Sequence, residues 1–509
     1  MKPVTVSRFD GAMADDLRSR AGNECSICRH FDTYSSPFKL TPIGGIQADT
    51  TGQTKIGNLQ VGSNGRLYGL GCDPSNPTLQ SIFKKNSSTD PTASWTELAL
   101  AHSGKLVNYN LFVEYKSYWY TAESTGNRYV GKYDINELAA VNPTYIDLTS
   151  YTTIGQGIVH PKDDILYIPY DNKICVNNNG SVTAVGLTLP SNRTITSISP
   201  YGNYLAIATV PTTAGAINQN SVVYLWDRDT SLATVTESID FGNGTIKVLN
   251  QLNGILVAVM LSGGNSNYAR HSNSLQVKVY TGGAPVTVKE ITAYTVTLNT
   301  IVNFINSNRL YFAAKLDYSY GASQSASNTF PGVFAFYRNK AGGWGLSIER
   351  LATTDNSDYA NFPLAAAVVK DYASIVYTDY GTLSITKSTA TDFSTTSVYE
   401  SLINPEMPDE DRHLKKQLRG FSVQCSQLSG TKQIVVKYRT DAAMTDSWTT
   451  LFTKTASSPD TDLMGYSVDI PVSTGAFTIG REFQFRLEST NGAEIIGFTY
   501  LYEPLTSSV

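Results

Sequence analysis

Strand-like hairpins recur along this chain at a spacing that few folds can use. Runs of alternating or continuous apolar residues lie at Leu67, Trp119, Leu166, Leu205, Leu256, Leu310 and Ile375, about 40 to 65 residues apart. That interval suits one four-stranded propeller blade each. Each run follows a polar turn: Asn64-Gly65, Lys116-Ser117, Asp163-Asp164, Gly202-Asn203, Asn253-Gly254, Asn308-Arg309 and Asp371-Tyr372. Several are followed by a second strand with a polar end, as in Tyr129 to Asp134, Val222 to Asp227, Leu275 to Thr281 and Val333 to Asn339. The pattern predicts an all-β chain built on a roughly seven-bladed β-propeller. A propeller is a scaffold, so function has to be argued from a site.

Three regions follow from the pattern. Residues 1–50 lack a strong period and carry spaced aromatics in a polar, Pro-punctuated stretch, which predicts an extended N-terminal arm. Lys39 to Ile43 is expected to pair with the last blade and close the ring. Residues 51–403 are the propeller. Within them Ser88 to Trp95 resembles a propeller Asp-box, with Asp90 capping a turn and Trp95 packing between strands. Residues 404–509 form a polar linker, Asn404 to Lys416, followed by short strands from Leu418 to Tyr502. Phe483, Phe485 and Leu487 fall on one face, and Gln484, Arg486 and Glu488 on the other. Six or more such strands in about 90 residues predict a C-terminal β-sandwich.

The net charge of −4 provides no broad basic field for nucleic acid phosphates. Charged residues are sparse, at 16%, while hydroxyl and amide residues and 31 tyrosines are abundant, as on β-rich extracellular or virion surfaces. No run of 18 apolar residues suggests a membrane span, and the first residues carry no apolar signal core. Synthesis and retention in a cytosol are therefore expected. On that expectation the Asn-x-Ser/Thr sequences at Asn86, Asn179, Asn192 and Asn243 are turns rather than glycosylation sites.

Chemistry is thin. Cys25-x-x-Cys28-x-His30 places three possible Zn²⁺ ligands within six residues but lacks a local fourth, so free thiols are the expectation. The five histidines are isolated, and His160 sits at a turn before a blade strand. Adjacent carboxylates such as Asp163-Asp164 point to opposite faces on extended backbone. Arg66, Arg128, Arg193, Arg228, Arg270, Arg309 and Arg350 form no sialidase-like cluster. No nucleophile elbow or phosphate-binding loop occurs. The expectation is a chain that is not an enzyme and needs no cofactor or metal.

The order of parts carries a resemblance. Arg8-Phe9-Asp10-Gly11 and the phrase His30 to Pro42 precede the propeller, and Lys415-Lys416-Gln417-Leu418-Arg419-Gly420-Phe421 opens the sandwich. This layout resembles virion proteins of tailed bacteriophages, including the nozzle proteins of short-tailed phages. The resemblance implies a structural tail component, made in the host cytoplasm and repeated around a symmetric tail. It implies contacts with copies of itself and other virion proteins, without sequence-specific nucleic acid binding; a host receptor is a further partner of this class. Phe9, Phe31, Tyr34 and Phe38 are the expected docking residues of the arm on a neighbouring subunit. The alternatives are a phage receptor-binding protein and a propeller glycosidase or lectin with a carbohydrate-binding sandwich. For the latter, five tryptophans supply surfaces on which sugars stack.

Overall fold

The structure is a computed structural model. It describes residues 1–9, 13, 24–36, 38–44, 46–48, 56–72, 79–89, 93–103, 109–122, 128–137, 139–212, 220–232, 234–262, 273–293, 295–317, 329–339, 342–351, 365–369, 374–379, 382–386, 396–440, 448–456, 465–469 and 479–505. The chain is nearly all β, and among the described residues the only α-helix is the single turn Asp409–Arg412. Two compact units account for it: Gln47–Val333 with Ala352–Lys387, and Met1–Ile46 with Phe334–Leu351 and Ser388–Val509.

The first unit is the propeller. Antiparallel sheets follow one another along the chain, beginning with Ile56–Val61, Leu67–Cys72, Leu79–Lys85 and Trp95–Ser103. The innermost strands of the next blades are Phe112–Tyr115, Ile158–His160, Arg193–Tyr201, Thr245–Leu252, Thr295–Asn306 and Ala365–Val369. Ala365–Val369 lies beside Ile56–Val61, so the ring closes at seven blades. The fourth strand of the last blade is Ile46–Ala48, from the N-terminal side of the chain. The sequence placed this closing strand at Lys39 to Ile43. There the structure instead pairs Thr41–Pro42 with Phe31–Asp32.

Turn chemistry explains the regularity. Both central residues are left-handed at Lys116-Ser117, Asn253-Gly254 and Ser307-Asn308. This is the turn whose twist matches that of the strands it joins. The last of these falls one residue earlier than expected, and Asp371-Tyr372 lies outside the described residues. Register shifts recur in the innermost strands, between Ile56 and Asn58, Ile195 and Ser197, Ile246 and Val248, and Leu298 and Asn303. Each bulge adds local twist to a blade. At the first of them only glycine fits, because a Cβ on Gly57 would stand 2.4 Å from the Tyr109 ring.

The core lies between consecutive blades. Tyr68, Leu70 and Ile82 of blade 1 meet Phe112, Trp119 and Tyr133 of blade 2, with Phe112 stacked on Trp119 at 4.2 Å. Tyr167, Ile174 and Leu187 of blade 3 meet Ile195, Leu205 and Trp226 of blade 4. Ala367 of the last blade joins Ile56, Leu59 and Phe83 of the first. Removing such side chains from water stabilises the ring by about 1.5–3 kcal/mol each.

A polar belt runs around the end of the ring that carries these turns. Ser63 donates to Glu114 at 2.5 Å, and Lys116 pairs with Asp164. His160 Nε2 contacts the Tyr204 carbonyl at 3.2 Å, and the Gly202 amide donates to Gln251 at 3.1 Å. Asn250 donates to Asn303 at 2.9 Å. Each bond joins one blade to the next.

The second unit is a β-sandwich. One sheet orders Lys2–Val6, Ile495–Pro504, Lys416–Cys425 and Gly465–Asp469; the other includes Cys25–Arg29, Ser397–Ser401, Phe483–Thr490, Gln433–Thr440 and Thr449–Thr455. Phe485 stands 5.1 Å from Phe421 and 4.8 Å from Tyr500, and Phe421 stacks on Phe498 at 5.4 Å. The core face and the polar face of Phe483–Thr490 are those read from its alternation. Two sequence expectations change. Lys2–Val6 is a sheet edge rather than a free arm, in register with Phe498 to Tyr502. Asn404, Met407 and Asp411, expected in a linker, are buried. The Asp411 carboxylate accepts from Lys2 at 2.6 Å and also from Tyr502.

Candidate functional site

Of the four expected docking residues, Phe9 and Phe31 are buried within the chain itself. Phe9 sets its ring edge-on to Tyr399 at 5.2 Å. Tyr34 is half-buried, edge-on to Tyr337 at 5.2 Å, and the neighbouring Thr33 hydroxyl meets the Tyr337 hydroxyl at 2.5 Å. Phe38 alone is exposed, at 61%. The docking set is thus corrected: an aromatic already covered by its own sandwich offers no area to a partner. Cys25 and Cys28 are buried, and His30 is buried with a left-handed backbone. Burial pushes the Tyr337 and Tyr399 hydroxyls well up, and the nearby Cys25 and Cys28 act in the same direction.

A polar constellation of the sandwich lies on the face opposite its aromatic core. Glu400, Arg486 and Lys437 stand directly across from one another on three adjacent strands, and Gln484 stands across from Arg439. Cross-strand neighbours of this kind are close enough to interact. Arg486 reaches Glu488 at 2.8 Å and Glu400 at 3.4 Å, and Lys437 reaches Glu488 at 2.8 Å. Arg439 donates to Gln484 at 2.7 Å. The Gln484 amide in turn donates to the Ser26 hydroxyl at 2.9 Å and the Ser401 carbonyl at 2.8 Å. Trp448 borders the group, with the Arg439 guanidinium 4.4 Å and that of Arg486 5.7 Å from its ring centre.

The electrostatics are those of a partly dry site. Burial raises the Glu400 carboxyl above its usual range, although Arg486, Arg439 and Arg29 pull the other way. Burial, helped by Arg486, lowers the Arg29 guanidinium. A carboxyl held toward its neutral form among fixed cations is a functional-site signature, one also found in structural ion-pair networks. Exposure of 21% at Arg486, 26% at Lys437 and 13% at Glu488 leaves the rim of the cluster open to solvent. The sequence shows the shared face of Gln484, Arg486 and Glu488, and Trp448 only as one of five tryptophans, but not Arg29, Glu400, Lys437 and Arg439 as its partners. The alternation of Lys437 and Arg439 was a usable signal; the partnership of Arg29 and Glu400 was not.

A second polar group lies in the propeller. The Arg228 Nη1 sits 2.9 Å from Nδ1 and 2.8 Å from Nε2 of His160, which is fully buried. Its Nε lies 2.9 Å from Asp163, which also accepts from the Tyr167 hydroxyl at 2.9 Å. Asp164 points elsewhere, to Lys116; the pair lies in a turn, with Asp164 left-handed, rather than on the extended backbone expected. The Asp-box residue Asp90, the pair Asp15-Asp16, the side chains of Arg270 and Arg350, and the loops after Ser262 and Tyr318 lie outside the described residues.

Fold and site together define a propeller protein with a sandwich unit. No family model matches the chain, and no curated protein matches it. Solved structures do. Drosophila Semaphorin 2a matches with a TM-score of 0.40 and 8% identity, over 72% of this chain and 77% of that one. An exo-beta-1,3-galactanase from Phanerochaete chrysosporium matches with a TM-score of 0.30 and 12% identity, over 90% and 99%. A glycoside hydrolase matches with a TM-score of 0.29 and 9% identity, over 89% and 99%. At these scores the likeness carries no argument of its own, and the propeller rests on the succession of four-stranded sheets. With glycoside hydrolases among the neighbours, the expectation that this chain is not an enzyme is withdrawn.

Proposed function

We propose that this protein recognises glycans through the polar face of its sandwich unit. The observation that carries this reading is Trp448 beside Arg439, Arg486, Glu488 and Gln484. Sugar rings present apolar C–H faces and an outward fringe of hydroxyls. A tryptophan edged by fixed donors and acceptors complements both, since its ring supplies apolar area and the charged groups supply orientation. The cross-strand pairs hold those groups in place before a ligand arrives, which lowers the ordering cost of binding.

Screening the intact protein against immobilised oligosaccharides, followed by calorimetry on the hits, tests this. Trp448→Ala should weaken binding at least tenfold, about 1.4 kcal/mol. Hits bound equally well by the variant would place recognition elsewhere. Mass spectra of the same hits after incubation separate a lectin from a glycosidase, because only the latter shortens them.

A second reading makes the protein a component of a phage virion, made in the host cytoplasm and assembled with copies of itself and other virion proteins. Its support is the Arg8 to Gly11 and His30 to Pro42 phrases, together with Phe38, an exposed aromatic next to Lys39 of the Lys39–Glu494 pair. The two readings combine in a virion protein that grips host-surface glycans. Peptides of this chain in purified particles, or their absence, decide it.

A further inference from the structure

We propose that His160 is an acid-sensitive latch between blades 3 and 4, whose protonation transfers Asp163 from Arg228 to His160 and frees the segment around Arg228. The geometry disfavours a charged ring. Arg228 Nη1 lies within 2.9 Å of both ring nitrogens, which sets a fixed positive charge against the imidazole and opposes a second proton on it. The Lys162 amide donates to Nδ1 at 3.3 Å, and Nε2 faces the Tyr204 carbonyl at 3.2 Å. Nδ1 is thus the acceptor and Nε2 carries the hydrogen.

The groups facing the ring come from each packed element. They are Lys162 and Asp163 from its own turn, Tyr167 from the adjacent strand, and Arg228 and the Tyr204 carbonyl from blade 4. A second proton on the imidazole sets two cations against each other in a buried site. Among the described residues Asp163, 3.8 Å from Nδ1, is the anion near enough to compensate, and it is now engaged by Arg228. Arg228 is the partner that yields. Its backbone is left-handed, at φ 73°, which is costly for a residue with a Cβ, and the tight binding of its side chain holds it there. Asp229, which follows, accepts from Ser231 and caps the Trp226 indole through its carbonyl. Release therefore loosens a short segment ending near the exposed Leu232.

Burial first, and Arg228 second, hold the His160 imidazole below its ordinary value. For a base whose folded pKa is depressed, the stabilising effect is complete above the unfolded value of about 6.5 and is lost as pH falls through the folded one.

Hydrogen exchange of the full-length protein at pH 7.5 and pH 5, corrected for intrinsic rates, reads the latch. Peptides spanning residues 227–232 should exchange several-fold faster at pH 5 in the wild type and equally at both pH values in His160→Gln. A pH response that persists unchanged in His160→Gln, or no response in the wild type, overturns the proposal. Should His160→Gln fail to fold, the imidazole resonance of His160 in Arg228→Gln supplies the answer. Its midpoint should move upward from that of the wild type, and an unmoved midpoint overturns the latch.

Discussion

The propeller and the sandwich reach similar packing by opposite routes through the chain. In the propeller, strands that pair are neighbours in sequence everywhere but at the closure of Ile46–Ala48 on Thr382–Thr386, and each blade contacts the next. In the sandwich, Lys2–Val6 pairs with Ile495–Pro504, and Cys25–Arg29 pairs with Ser397–Ser401. Local pairing forms early and tolerates local damage; pairing across hundreds of residues must first overcome the entropy of closing a long loop. The sandwich is therefore the part whose integrity depends on the far ends of the chain.

The sharpest way to break this contrast is to delete residues 1–9. The deletion removes buried Val4, Val6 and Phe9, at about 1.5–3 kcal/mol each. Exchange protection should fall across Ile495–Pro504 and stay unchanged in the blades. Equal loss in both units would erase the distinction. Next in size, Trp226→Ala should cost about 3–5 kcal/mol by opening a cavity between blades 3 and 4. Exchange should rise in those two blades before any other peptide. Uniform loosening of the ring would mean the blades do not behave as local units.

Smaller effects sharpen the comparison. Asp411→Asn weakens the clamp of Lys2 and Tyr502 and should cost about 1–3 kcal/mol. Burial alone would raise the Asp411 carboxyl, but the Lys2 and Tyr502 hydrogen bonds and the Lys416 charge hold it below its ordinary value. Its stabilising effect is thus complete above the unfolded pKa of about 3.9 and disappears as pH falls through the lower folded value. Acid titration of the wild type should loosen Lys2–Val6 in that window, and Asp411→Asn should flatten the dependence. Smallest of all, Lys116→Ala removes an exposed ion pair with Asp164 and should leave the melting temperature unmoved. A measurable drop would give the polar belt a larger share in holding the blades together.

What could be read in advance follows the same division. Asn253-Gly254 announces its hairpin because those two residue types favour the left-handed backbone it needs, whereas Lys116-Ser117 takes the same backbone without such a signal. Phe483, Phe485 and Leu487 announce a buried face because alternation is local. Lys2–Val6 announces nothing: Pro3, Val4 and Thr5 become an edge strand only because Leu501, Tyr500 and Thr499 lie opposite. The spaced aromatics of the N-terminal region need cover, and Phe9 and Phe31 find it within the chain itself. Composition reveals that a ring must be buried but not by whom. The Arg29–Glu400–Arg486 group was hidden for the same reason, since three strands must meet before its charges become neighbours.

The clasp of Ile46–Ala48 on the last blade has a consequence for biosynthesis. This strand leaves the ribosome early, while its partner Thr382–Thr386 emerges more than 330 residues later. At about 5–20 residues per second, the interval is on the order of 20 to 70 s. Throughout it the nascent protein is an open arc, with an unpartnered strand at one end and a growing, unsealed edge at the other. Such edges invite pairing with other chains. Translation speed and chaperone occupancy during that interval, rather than the stability of the finished ring, then govern how many molecules close correctly.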